Sequence, residues 1–245
     1  MELLKTELLA WIEAHTSLLS NERDMQVKIA KFLESRGRFD NVFTEYRVPL
    51  SELKARGVPV EPNPKLAKSR EVSPSFPWNN QMSVDIVVEK AGAFAALELK
   101  YATYPVAGVE TLFGQPMLTD AKILKNQAAS DITMYNYWKD VRRIEMLTSI
   151  YPNVVGGIAL IISNSHNYWM KPSASVNYAH FSMHEGHTVG AGIVEWNGTP
   201  AASVVEGYPR FVLNAAYPCR WTDTNITVKA TNGDKFRYLI SEINK

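Results

Sequence analysis

Three charged residues interrupt two apolar runs: Asp85 in Ser83-Val84-Asp85-Ile86-Val87-Val88, and Glu98 and Lys100 in Phe94-Ala95-Ala96-Leu97-Glu98-Leu99-Lys100-Tyr101. Runs of this kind read as buried β-strands, and a charge buried in one is costly unless something compensates it. Side chains alternate across a strand, so Glu98 and Lys100 share a face with Ala96, while Leu97, Leu99 and Tyr101 take the other. The polar, glycine-containing reversal Glu89-Lys90-Ala91-Gly92-Ala93 pairs the two runs as a hairpin and sets Asp85 beside Glu98. Two carboxylates and a lysine so arranged suit metal-assisted hydrolysis of a phosphodiester. Asp85 and Glu98 offer hard oxygen ligands to one or two divalent cations, Mg²⁺ or Mn²⁺, which polarise a phosphate and activate water. Lys100 orients that water and offsets developing negative charge. The competing reading of the same residues is a structural Glu98–Lys100 ion pair.

An acid on one strand and Glu-x-Lys on the next resembles the signature of the PD-(D/E)xK nuclease superfamily, the restriction-endonuclease-like fold. Val84 stands where that family often carries proline. The resemblance covers residues 18–163 and implies a metal-dependent endonuclease. Asp85, Glu98 and Lys100 would then be catalytic, Asp85 and Glu98 the metal ligands, Mg²⁺ or Mn²⁺ the cofactor, and nucleic acid, DNA before RNA, the substrate. Family members often place a further acid near the start of the helix before the first strand. Glu22 matches that position, and Gln26 lies four residues on, along the same helix face. Glu45 ranks below Glu22, because Arg47 on the same strand face is a ready partner. Glutamine on the helix after the Glu-x-Lys strand recurs in several branches; Gln127, with Asp131 and Tyr135 at i, i+4 steps, fits that place. The fold also hosts members that have lost catalysis, so the alternative is an inactive nuclease-fold module acting in DNA binding or protein interaction.

The elements that must carry these residues can be read from periodicity. Leu3, Leu4, Leu8, Trp11 and Ile12 recur at helical spacing, as do Met25, Ile29, Phe32 and Leu33. Ser20 or Asn21 caps the second helix and Gly37 ends it. Phe39–Leu50 reads as a strand with Val42, Thr44, Tyr46 and Val48 on one face and Phe43, Glu45 and Arg47 on the other. Ala121–Thr148 reads as one long helix with Ile132, Tyr135, Trp138 and Val141 along a face. On it, Asp140 with Arg143 and Arg142 with Glu145 read as salt-bridged surface pairs. Val154–Ile162 is a nearly continuous apolar run, as in a central strand buried on both faces. The resulting αβββαβ order defines an α/β class, an α+β mixed sheet, with residues 164–245 as an elaboration that adds strands.

Composition sets the remaining bounds. A chain of 245 residues with 46% hydrophobic content is long enough for one domain spanning 1–245. With 26 Lys+Arg against 25 Asp+Glu, the net charge of +1 creates no global field for nucleic acid, so affinity must come from a local patch. Lys65, Lys68 and Arg70, in the proline-rich segment between Ser51 and Met82, are the candidate phosphate contacts. The single cysteine, Cys219, excludes an intramolecular disulfide framework. His166, His180, His184, Glu185 and His187 lack the spacing of a zinc helix. No signal segment or membrane-length apolar run is present, so a cytoplasmic protein without membrane association, open to homodimerisation, is expected.

Overall fold

The computed structural model describes residues 1–58, 82–108, 111–118, 121–125, 129–228 and 235–245. Helices α1 (Glu2–Ala14) and α2 (Glu22–Arg36) form where apolar residues recur at helical spacing, and they bury Leu4, Leu8, Trp11 and Ile12 together with Met25, Ile29 and Leu33. The Asn21 side chain accepts the Asp24 N–H at 2.9 Å, which caps α2 and makes Glu22 its first residue. Gly37 ends the helix in the left-handed region, as a residue without Cβ readily does.

Strands β1 (Asn41–Val48), β2 (Met82–Lys90), β3 (Ala93–Ala102), β4 (Val154–Ser163), β5 (Thr222–Asp223) and β6 (Arg237–Asn244) form a sheet in the order β1-β2-β3-β4-β6-β5. Only β3 and β4 run parallel; the other pairs are antiparallel, so the class is mixed α+β. A short helix, α3 (Leu50–Ala55), follows β1, and α4 (Ser130–Ile150) lies between β3 and β4. One sheet face buries Ile86, Leu97, Leu99, Ile158 and Leu160 against α1 and α2. The opposite face buries Val87, Ala96, Ala159 and Ile161 against Trp138, Val141 and Ile144 of α4. The close approach of α4 depends on Gly157: a Cβ there would lie 2.5 Å from the Ala96 carbonyl oxygen and 2.6 Å from Ile144 Cγ2. Since Ile144 is one turn beyond Asp140, this contact brings that part of α4 down onto β3.

Two expectations are corrected. The long helix does not begin at Ala121; Ala121–Leu124 is a strand antiparallel to Val106–Gly108, and the helix starts at Ser130. Leu124 packs with Val106 in the α1/α2 cluster, on the other side of the sheet from α4, and an apolar run this short has no periodicity to tell strand from helix. The even alternation expected along β1 also fails. Val42 packs with the α1/α2 cluster but Val48 with the α4 cluster. The partner strand does the same, with Ile86 and Val88 on one side and Met82 and Val84 on the other. The switch falls between the pairs Thr44↔Ile86 and Tyr46↔Val84, at Glu45, whose φ is 51°, and Asp85. A break in the ladder that re-aims side chains at this point is a bulge-like device.

Residues beyond 163 wrap the outer side of α4 and complete the sheet. Trp138 Nε1 donates to the Phe181 carbonyl at 2.8 Å and the Tyr135 hydroxyl to the Pro209 carbonyl at 2.6 Å. Buried Glu145 accepts the Asn214 and Ala215 N–H groups and the Tyr217 hydroxyl. Cys219 is a buried free thiol. Among the described residues, no helix is long and apolar enough to cross a membrane.

Candidate active site

The β2–β3 hairpin pairs Ile86 with Leu97 in antiparallel register, and Asp85 and Glu98 lie one residue beyond this last pair on their strands. Asp85 Oδ2 accepts the Leu99 N–H at 2.7 Å, which fixes its carboxyl against the Glu98-Leu99-Lys100 backbone. The Asp85 carbonyl, at the break in the β1–β2 ladder, accepts Gln26 Nε2 at 2.6 Å. The Asp85 and Glu98 carboxyls lie close enough to act on each other. Helix α2 contributes Glu22, whose Oε2 accepts the Tyr101 N–H at 3.1 Å and whose Oε1 lies 3.9 Å from Lys100 Nζ. The hairpin and the cap of α2 thus bring Glu22, Asp85, Glu98 and Lys100 together.

Helix α4 completes the cluster with two residues that sequence reasoning left on the surface. Asp140 Oδ2 lies 2.7 Å from Lys100 Nζ, and Asp140 Oδ1 accepts Arg143 Nη1 at 3.0 Å. The same Nη1 lies 3.3 Å from Glu98 Oε1, while Arg143 Nη2 donates to the Ser83 carbonyl at 3.2 Å. Asp140 is 3% exposed, so the Asp140–Arg143 pair is interior rather than a solvated i, i+3 bridge. The signal that identifies it is the density of apolar residues around it. Tyr137, Trp138, Val141 and Ile144 are all buried, and a helix apolar on nearly every side has no solvated face to spare. Arg142 does pair with Glu145 at 3.2 Å, but Glu145 is likewise buried.

Burial dominates the electrostatics. It pushes the Glu98 carboxyl well above the ordinary range; Arg143 and Lys100 oppose this, and Asp140 and Asp85 reinforce it. Burial also raises Asp85, against Lys100 and the Leu99 N–H. Asp140 goes the other way, because Lys100 and Arg143 together outweigh its desolvation. A raised carboxyl contributes stability that is complete below its unfolded value and is lost as pH rises through the folded one. Metal-free Glu98→Gln is therefore expected to melt above the wild type near neutrality, with the gap closing as pH falls through the ordinary carboxyl range. Thermal melts across pH in EDTA check this; a lower melting temperature for the variant near neutrality would show that Arg143 and Lys100 outweigh the burial of Glu98.

Glu98 Oε1 is buried and accepts no hydrogen bond, although it faces Arg143. Asp140 Oδ2, 2.7 Å from Lys100 Nζ, is also without a hydrogen bond, and a buried oxygen of this kind can take a cation or a water. Four carboxyls, Glu22, Asp85, Glu98 and Asp140, cluster with three basic side chains, Lys100, Arg143 and Lys139. The donor set is all oxygen, which suits Mg²⁺ or Mn²⁺. Among the described residues no group of three or more His, Cys, Asp or Glu is placed to hold a metal. The Asp85–Glu98 pair thus offers two carboxylates, the number with which Mg²⁺ commonly binds while keeping water and substrate phosphate in its other positions.

Comparison with family models, with curated proteins and with solved structures finds no match. The site has to be read from its own chemistry.

The remaining candidates are placed as follows. Glu45 does not pair with Arg47; it accepts from Arg23, from Ser83 Oγ at 2.9 Å and from Gln26 Nε2 at 3.2 Å, at the rim of the cluster. Tyr135 and Asp131 face away from Lys100: the Tyr135 hydroxyl bonds Pro209, and the Asp131 carboxylate accepts the Ile132 N–H. Gln127, Lys65, Lys68 and Arg70 lie outside the described residues. His184 and His187 stack at 4.6 Å, with Ser182 Oγ 2.8 Å from His184 Nδ1. A cavity of about 350 Å³ opens on the α4 side between β1, β2 and the end of α4, lined by Tyr46, Val84, Ala96, Leu147 and Tyr151; none of the clustered charges lines it.

Proposed function

We propose that this chain is a metal-dependent nuclease of the PD-(D/E)xK type, hydrolysing phosphodiester bonds of nucleic acid, DNA before RNA, on a restriction-endonuclease-like core. The observation that carries the reading is the buried, hydrogen-bond-free Glu98 Oε1 beside Asp85 in a cluster of four carboxyls. The order α2, β1, β2, β3, α4, β4, with β3 and β4 parallel, supports the fold assignment.

In this reading Asp85 and Glu98 hold Mg²⁺ or Mn²⁺. A cation held there would supply polarisation of the scissile phosphate and a water of lowered pKa. Lys100 stays charged, because Asp140, Glu22, Glu98 and Asp85 outweigh its desolvation. It is therefore a fixed positive charge for the phosphate rather than a proton acceptor. Asp140 restrains it from α4, so its position is set before substrate arrives. Glu22, with 44% of its side chain exposed, stands at the open edge of the cluster, where it can hold a water against Lys100.

A second reading, a nuclease fold without the reaction, draws on the ion pairs themselves: Arg143 and Asp140 cap Glu98 and Lys100 from α4. The deciding experiment is incubation of the purified protein with linear and single-stranded DNA and RNA. Cleavage with Mg²⁺ or Mn²⁺ that EDTA abolishes supports the enzyme, and its absence on all substrates supports the inactive module.

A further inference from the structure

Arg143 occupies an unusual place for a surface-type helix residue. Its guanidinium sits between two carboxylates of different kinds: Asp140, on its own helix one turn back, and Glu98, on the neighbouring strand. The Asp140 contact is a hydrogen bond at 3.0 Å, whereas the Glu98 contact at 3.3 Å is an ion pair without hydrogen-bond geometry at Oε1. Nη2 is anchored independently, on the Ser83 carbonyl. Arg143 is thus secured by Asp140 and Ser83, while its contact with Glu98 Oε1 is an ion pair. Glu98 also neighbours the Asp85 carboxyl. The Glu98 carboxyl thus lies between an acid and a fixed cation.

We propose that Arg143 is the resident counter-ion of the carboxylate pair: it takes the place of a divalent cation at Glu98 Oε1, and the two compete for that oxygen. This rests on the reading of Asp85 and Glu98 as a cation site. When the cation enters, Arg143 remains on Asp140 and Ser83 and gives up only the Glu98 contact, which accounts for the placement of Asp140 within reach of it. A charge held in this way lets a buried acidic cluster fold without metal, at the expense of metal affinity.

Competition and support predict opposite signs. A residue that merely orients a ligand from the outer shell lowers metal affinity by about 10–100-fold when removed. A competitor raises affinity when removed, here by on the order of ten-fold or more, because a positive charge no longer opposes the incoming one. The experiment is calorimetric titration of Mn²⁺, without nucleic acid, into wild type, Arg143→Met and Asp85→Asn under mildly alkaline conditions. Tighter binding by Arg143→Met, with binding lost in Asp85→Asn, is expected. Wild-type or weaker binding by a folded Arg143→Met, alongside measurable wild-type binding, would overturn the competition and leave the cation site standing. No Mn²⁺ binding by wild type or Arg143→Met would overturn both. Should Arg143→Met fail to fold, a wild-type crystal soaked in Mn²⁺ decides: the expected result is Mn²⁺ at Asp85 and Glu98 with Arg143 withdrawn to Asp140, and Mn²⁺ bound with the Glu98–Arg143 contact unchanged would overturn the proposal.

Discussion

Asp85→Asn, Glu98→Gln and Lys100→Ala are each expected to remove metal-dependent cleavage while the chain stays folded. The first two replace one carboxylate oxygen by an amide and so weaken a pair that supplies two charged ligands to the cation. Lys100→Ala removes a pre-placed positive charge beside the developing phosphate charge, and loss of such a stabiliser lowers turnover by about 10²–10³. The three variants also separate by cation. Raising Mn²⁺ is expected to recover part of the activity of Glu98→Gln, where one ligand is weakened, but none in Lys100→Ala, where the cation site is intact. Single-turnover cleavage at several Mn²⁺ concentrations measures this. Equal activity in wild type and Asp85→Asn would assign the cleavage to a contaminant.

Asp140→Asn is expected to be the most destabilising single change in the cluster. Asp140 is buried and faces both Lys100 and Arg143. Removing its charge leaves two interior cations short of a partner, and breaking a buried pair on one side costs about 3–5 kcal/mol. Its carboxyl is lowered, so the stability it contributes is present above the ordinary aspartate range and is lost as pH falls through the lowered value. The difference between wild type and Asp140→Asn should therefore be full near neutrality and shrink in acid. Urea unfolding at both pH values tests this. A loss of about 0–1 kcal/mol, the size of a solvated surface pair, would return Asp140 and Arg143 to the exterior role that their i, i+3 spacing suggests.

How much was legible in the sequence follows from which rule each residue obeys. Asp85, Glu98 and Lys100 break an apolar strand pattern with period two, so their strand, face and neighbour could be read directly. Glu22 came from the resemblance, which expects an acid near the start of the helix that Ser20 or Asn21 caps; Asn21 is the cap. Asp140 and Arg143 obey the helical i, i+3 rule equally well inside or outside the protein, and only the packing of α4 onto Gly157 places them inside. The break at Glu45 and Asp85 was hidden for a different reason. It depends on a positive φ at a non-glycine residue, which no local pattern announces. Ala121–Leu124 is too short for its period to speak, and its pairing with Val106–Gly108 is a tertiary choice.

Beneath these readings lies one claim, that Asp85 and Glu98 together hold a divalent cation. Thermal melts of wild type and Asp85→Asn, with and without Mn²⁺, test it without any substrate. A ligand at ten times its dissociation constant stabilises the folded state by roughly 1.4 kcal/mol. The expected result is a Mn²⁺-dependent rise in the wild-type melting temperature that Asp85→Asn lacks. In EDTA the variant should melt no lower than wild type, since burial raises the Asp85 carboxyl and its ionised form is the strained one. No Mn²⁺-dependent shift in wild type, together with a marked loss of stability in Asp85→Asn, would contradict the claim and leave a structural charge cluster in its place.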